Sequence, residues 1–305
     1  MEAERTGSWL LRIVCGPLRY GMRFGAHIYL FTRRWNDADA PALLDRAASL
    51  DMSCLEIAVG DDVCFDACRT GKLAAERGIA LLFSPGGDWP MHLDLSAEDC
   101  GVRKEAMEWH CAHVRQAAEA GAFVYCGALY GHPGQVLRRR PPPDEAKQVA
   151  EGLHKLAEFA KGLGVQIALE PMSHFRSHIA NTPAQIRALL TLADHASLGV
   201  VLDTYHLVTE IRDYRAAICE FRKELLALHA CENDRGVPGG GLVPWEQVFA
   251  ACAEIAFDGC VLLESYNSGI GDFAFERGMF HNVCPDGDAF ARQGLDFLRP
   301  GFGQL

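Results

Sequence analysis

Several common signatures are missing from this sequence, and each absence removes a class of protein. None of the 12 cysteines forms a CxxC pair, so a zinc ribbon or a thioredoxin-type redox site is not expected. No apolar run reaches the roughly 18 residues of a membrane span, so no membrane partner is expected. The first residues make a poor secretory signal, because Glu2 and Glu4 precede a short apolar patch, Trp9 to Leu11, that Arg12 interrupts. No GxGxxG or Walker-type loop follows any apolar run. The glycine-rich stretch GVPGGG at 236–241 lacks the lysine and spacing of a phosphate loop. Positive charge is also in deficit. With 29 Lys and Arg against 40 Asp and Glu, the formal charge is -11, the reverse of a nucleic-acid footprint, so no nucleic-acid partner is expected.

What remains is a chain of ordinary globular composition, with 49% hydrophobic and 23% charged residues, long enough to bury a large core without disulfides. The cysteines are scattered and read as reduced core residues of a cytoplasmic protein, with Cys64 and Cys68 at a helical packing distance. Residues 1–21 read as a poorly ordered leader, and 22–305 as one domain.

From Arg23 onward, short apolar runs alternate with longer amphipathic ones. Strands are expected over 24–30, 54–59, 80–84, 123–128, 165–170, 198–203, 225–230 and 260–264. They are nearly continuous in apolar residues, as strands of a parallel sheet covered on both faces are. Helices are expected over 40–50, 63–77, 103–120, 143–161, 182–192, 213–222, 244–255 and 286–298, with Ser96 heading the third and Thr182–Pro183 opening the fifth. Eight strand–helix units give the count of a (β/α)8 TIM barrel, α/β in class and single in domain, over a doubly wound open sheet.

Chemistry in such a barrel belongs to the C-terminal ends of the strands. Here those ends carry ionisable residues: Glu170 closes IALE, Asp203 closes VVLD, His229 lies in ALHAC and Glu264 closes VLLE, while Glu56 sits inside CLEIAV. One carboxylate behind three aliphatic residues can be a structural acceptor. Four ionisable groups on consecutive strands converge on one patch, where their charges repel without a cation. An oxygen-rich set with one imidazole suits Mn2+, Mg2+ or Co2+ rather than a thiolate zinc site. Cys231, two residues past His229, is a weaker candidate ligand.

These motifs, LEPM (169–172), LDTYH (202–206), HACENDR (229–235) and LLESY (262–266), with ligand candidates 33, 26 and 35 positions apart, resemble the ketose 3-epimerases of the tagatose/allulose type within the xylose isomerase-like barrels. DLSAEDCGVRKEA (94–106) and GALYG (127–131) extend the resemblance, which covers roughly residues 22 to 298. It implies that Glu170, Asp203, His229 and Glu264 hold one divalent metal ion, Mn2+ foremost with Co2+ or Mg2+ as alternatives. It also implies that Glu170 and Glu264 are the two acid/base groups, and that His206, Arg235 and Glu56 contact a small sugar. A cation on the C2 carbonyl and C3 hydroxyl oxygens would stabilise a cis-enediolate, and two glutamates on opposite faces would invert C3. A homo-oligomer, dimer or tetramer, is implied likewise.

The sequence departs from that family at Arg176. A carboxylate usually stands there, six residues after the first ligand. Arg176 either pairs with Glu56 or another acid, or offers a guanidinium to a substrate carboxylate or phosphate. The segment 265–284 is also atypical and reads as a lid or an oligomer contact, with Phe273, Phe275, Met279 and Phe280 as apolar anchors. The alternative outcome for the same metal centre is a lyase, in which α-proton abstraction from a keto-sugar expels a β leaving group, as in inosose dehydratases or C-glycoside deglycosidases.

Overall fold

The computed structural model describes residues 21–303, so the expected leader lies outside the described residues except for Gly21. Eight strands, β1 (Arg23–His27), β2 (Cys54–Val59), β3 (Ala80–Pro85), β4 (Val124–Gly127), β5 (Gln166–Leu169), β6 (Leu198–Asp203), β7 (Leu225–Ala230) and β8 (Cys260–Leu263), close into a barrel in sequence order. Every neighbouring pair, β8 with β1 included, is parallel.

The helices between them cover the barrel: α1 (Ala40–Ser49), α2 (Ala67–Glu76), α3 (Cys100–Glu119), α4 (Glu145–Gly162), α5 (Pro183–Ala193), α6 (Thr204–Leu207), α7 (Tyr214–Glu220), α8 (Trp245–Glu254), α9 (Phe273–Glu276) and α10 (Gly287–Gly303). Among the described residues, no helix is long and apolar enough to cross a membrane.

Alternation along each strand divides the core in two. Outward residues such as Leu55, Ile57, Val200, Leu202, Val261 and Leu263 pack under the helices. Inward residues, among them Cys54, Val124, Ala168, Val201, Ala227 and Leu262, form a separate cluster that plugs the barrel. This double burial explains why the strands lack a polar alternation.

Local chemistry sets the element ends. His27 ends β1 early, because its Nδ1 accepts from the Tyr29 amide at 3.2 Å and turns Ile28–Leu30 into a 3-10 turn. The strand expected over 24–30 is therefore shorter. Asp99, not Ser96, caps α3, accepting from the Gly101 and Val102 amides. The Ser96 hydroxyl is bound to Asp94 instead. Thr182 and Gln185 form a capping box at α5.

The cysteine expectation needs correcting. Cys54, Cys126, Cys231, Cys252, Cys260 and Cys284 are buried, but Cys64, Cys68 and Cys100 are exposed. Cys64 lies before the Asp66 cap of α2, so the spacing from Cys64 to Cys68 is not a helical one.

Two substitutions check this account by chemical denaturation. Thr182→Ala removes the α5 cap and should cost about 1 kcal/mol. Leu82→Ala opens a cavity in the barrel plug, where Leu82 is wholly buried, and should cost about 2–5 kcal/mol.

Candidate metal centre

The site is one step up the same alternation. Two residues past five of the plug residues, the next inward position is a carboxylate or imidazole: Glu56 after Cys54, Glu170 after Ala168, Asp203 after Val201, His229 after Ala227 and Glu264 after Leu262. Register aligns them, since Asp203 stands opposite His229, and His27 opposite Glu56. Gly127, at the end of β4, has φ +131° and lines the same cavity, a backbone conformation that favours glycine.

Glu170, Asp203, His229 and Glu264 are each at most 7% exposed. One donor atom from each lies within 4.8 Å of all the others. His229 is oriented from both sides of its ring. Its Nε2 is 2.7 Å from Glu56 Oε2, and its Nδ1 is 3.1 Å from both Glu170 Oε1 and Glu264 Oε2. Nε2–H donating to Glu56 leaves the Nδ1 lone pair facing the two carboxylates, the tautomer a metal-ligating imidazole adopts.

The charges show what is missing from this group. Burial pushes the Asp203 carboxyl up to about 7, and the nearby Glu264 and Glu170 add to the push against Arg235. Burial also raises Glu170. At Glu264 burial acts the same way, but Arg235 and His229 outweigh it and hold the carboxyl well below the usual range. Burial would keep His229 neutral, yet Glu56, Glu264 and Glu170 together drive its pKa well above the ordinary value. A protonated His229 thus supplies positive charge to surrounding acids. Asp203 Oδ2 lies 2.8 Å from Arg235 Nη1 but has no well-aligned hydrogen bond although fully buried. This donor set fits a divalent cation, which would meet that oxygen and let His229 return to the neutral ligand form.

Arg235 and His206 reach the same place. Arg235, with φ +68°, sets its Nη1 2.9 Å from Glu264 Oε2, and its guanidinium carbon lies 4.2 Å from the Tyr205 ring centre. His206 Nδ1 accepts from the Ser173 amide at 3.3 Å, and Nε2 is 3.4 Å from Arg235 Nη2. Burial, reinforced by Arg235, holds the His206 pKa well below its ordinary value, leaving a neutral ring.

Glu56 lines the cavity, but its oxygens face His229 and, at 3.7 Å, His27. Arg176 also lines the cavity and is exposed, and it does not pair with Glu56 or with any other carboxylate among the described residues. Cys231 stays outside the ligand cluster. Burial raises its thiol pKa well above the ordinary value, and its Sγ takes an Arg235 N–H at 3.4 Å. Cys126 lies close to Glu56 and His229, but burial likewise keeps it a thiol, which donates to the Phe83 carbonyl.

The cavity holds about 160 Å³ and contains residues that the sequence reading missed. His27 ends its strand as the ligands do, so the strand-end rule could have found it. His132 follows GALYG. Its Nε2 sits 3.0 Å from the Trp89 carbonyl, while its buried Nδ1 has no partner. Arg277 and Met279 come from the atypical segment 265–284, which therefore reaches over the mouth. In that segment Phe273 is buried, while Phe275 and Phe280 are exposed.

Known proteins resemble this chain over most of its length. The chain is 27% identical over 283 residues to a ketose 3-epimerase of Arthrobacter globiformis, covering 91% of this chain and 96% of the relative. It is 26% identical over 289 residues to a D-psicose 3-epimerase of Agrobacterium fabrum, covering 91% and 98%. A solved L-ribulose 3-epimerase superposes with a TM-score of 0.86 at 26% identity, over 93% of this chain and 95% of that one. A family model described as the xylose isomerase-like TIM barrel matches residues 44–300, and the chain belongs to that family.

Proposed function

We propose that the protein is an isomerase-class enzyme that epimerises a ketose or ketose derivative at C3, using Glu170 and Glu264 as the two proton-transfer groups and one divalent cation, Mn2+ first and Co2+ or Mg2+ otherwise. The observation that carries this reading is the placement of two buried glutamates, each 3.1 Å from the same His229 nitrogen, at the floor of the cavity. The full-length similarity to ketose 3-epimerases supports it.

A cation held by Glu170, Asp203, His229 and Glu264 supplies the positive charge that makes a C–H bond beside a carbonyl acidic enough to break. The remaining work falls to the side chains. One glutamate carboxylate takes the C3 proton, and the other returns a proton to the opposite face. Arg235 fixes Glu264 through its 2.9 Å contact and keeps it ionised. Neutral His206 and Arg235 present N–H groups to substrate oxygens. Glu56 acts through His229, locking the ring in the tautomer that faces the ligands.

Three outcomes are expected. Glu264→Gln keeps the fold by circular dichroism but lowers turnover by at least about 100-fold; full activity would remove the two-glutamate assignment. Chelated protein is inactive in the same assay and recovers with Mn2+ or Co2+, whereas unchanged activity would remove the cation. Glu56→Gln weakens Mn2+ binding by about 10- to 100-fold in a calorimetric titration. Run in deuterated water, the turnover assay also separates outcomes: deuterium at C3 of a recovered epimer supports epimerisation, and an unsaturated product supports the lyase alternative.

A further inference from the structure

Two arginines in this cavity make no ion pair among the described residues. Arg235 is committed to Asp203 and Glu264 at the floor. Arg176 and Arg277 also line the cavity but make no ion pair with any carboxylate among the described residues. In the adjoining pocket that Arg277 also lines, Arg33 pairs with Glu276 at 2.9 Å and Arg34 with Asp62. Arg277 is instead packed in aromatic surroundings. Its Nη2 donates to the Tyr29 hydroxyl at 2.8 Å, and its guanidinium carbon lies 4.9 Å from the Tyr29 ring centre, 5.6 Å from Phe273 and 6.0 Å from Tyr266. Arg176 is fixed from the other side by its backbone, whose carbonyl accepts from the Gly134 amide at 2.7 Å.

Both charges reach one region. Arg176, Tyr266 and Arg277 all line the same cavity. Depth separates them from the metal centre: Arg176 is exposed and Arg277 half-buried, while the ligands are at most 7% exposed. A guanidinium is always charged and forms its strongest hydrogen bonds with carboxylates and phosphates. Placed in a substrate cavity with no carboxylate paired to either among the described residues, two of them leave positive charge for something that enters.

We propose that the substrate carries an anionic group, a terminal carboxylate or phosphate ester, which Arg176 and Arg277 hold at the rim while the reacting carbons lie over the metal centre. This rests on the isomerase reading above and specifies its substrate class. A neutral ketose would leave both guanidiniums without an anionic partner.

The test uses the metal-loaded enzyme and three substrates of one carbon skeleton: the neutral ketose, its terminal phosphate ester and its terminal carboxylate. The readout is kcat/KM for deuterium incorporation at C3. One anionic substrate should exceed the neutral ketose by about 10- to 100-fold, the range of a charge-assisted hydrogen bond, and the better of the two identifies the group. Arg176→Gln and Arg277→Gln should each reduce that preference about tenfold, mainly through KM. In parallel, inorganic phosphate is titrated into the metal-free protein by calorimetry. Saturable binding that the double variant loses is expected.

Equal kcat/KM for the neutral and both anionic ketoses, with no change of ratio in either variant, would overturn the anion site and leave the epimerase standing. Exchange in none of the three would instead overturn the isomerase reading. The phosphate titration then decides the anion site separately, since no saturable binding, or binding that the double variant retains, would overturn it.

Discussion

Asp203, Glu170, Glu264 and His229 are each at most 7% exposed and bring one donor atom apiece within 4.8 Å of the others, and the rest of the top face is organised around the cost of that confinement. Burial and mutual repulsion push Asp203 and Glu170 toward protonation. Arg235 counters at Glu264, and His229 gathers positive charge from three acids. The backbone accepts a left-handed conformation at Arg235 itself, and that guanidinium rests on the Tyr205 ring. Local strain of this kind persists where the surroundings hold a functional group in place. Here what is held is a guanidinium that touches both Asp203 and Glu264.

The same electrostatics separate Glu56 from Glu170, Asp203, His229 and Glu264. Glu56 is as deeply buried as the ligands but has its charge balanced by His229 and His27. It therefore serves as a charge partner of His229. The four remaining groups keep a shared unmet need for positive charge, visible in the Asp203 oxygen without a well-aligned donor.

Much of this was legible in the sequence, for a specific reason. Period-two alternation links each ionisable strand end to the apolar residue two positions before it, so IALE, VVLD and VLLE carry both the barrel plug and the site in four letters. The barrel follows from the same strand count. What the sequence could not show depends on loop paths. Arg277 is 13 positions beyond Glu264 and comes back over the mouth only because Phe273 is anchored in the core. The Arg176–Glu56 pair, plausible from charge alone, fails because Glu56 is buried and already engaged by His229 and His27. The short α6 and α9 are four residues each, too brief to show a helical period. Cys64 and Cys68 had the spacing of a buried helical pair, but the Asp66 cap falls between them.

The register between β6 and β7 has a thermodynamic meaning as well as a geometric one. Asp203 stands opposite His229 only in this alignment, and a slip of one residue would turn Leu202 inward in place of Asp203. The ligand set therefore exists in one strand pairing and in no misaligned or unfolded chain. A cation that recognises the set selects that pairing, and at 100 times its dissociation constant it would add about 2.7 kcal/mol to the stability of the native barrel. A bound cation would thus also favour the aligned sheet over its near misses.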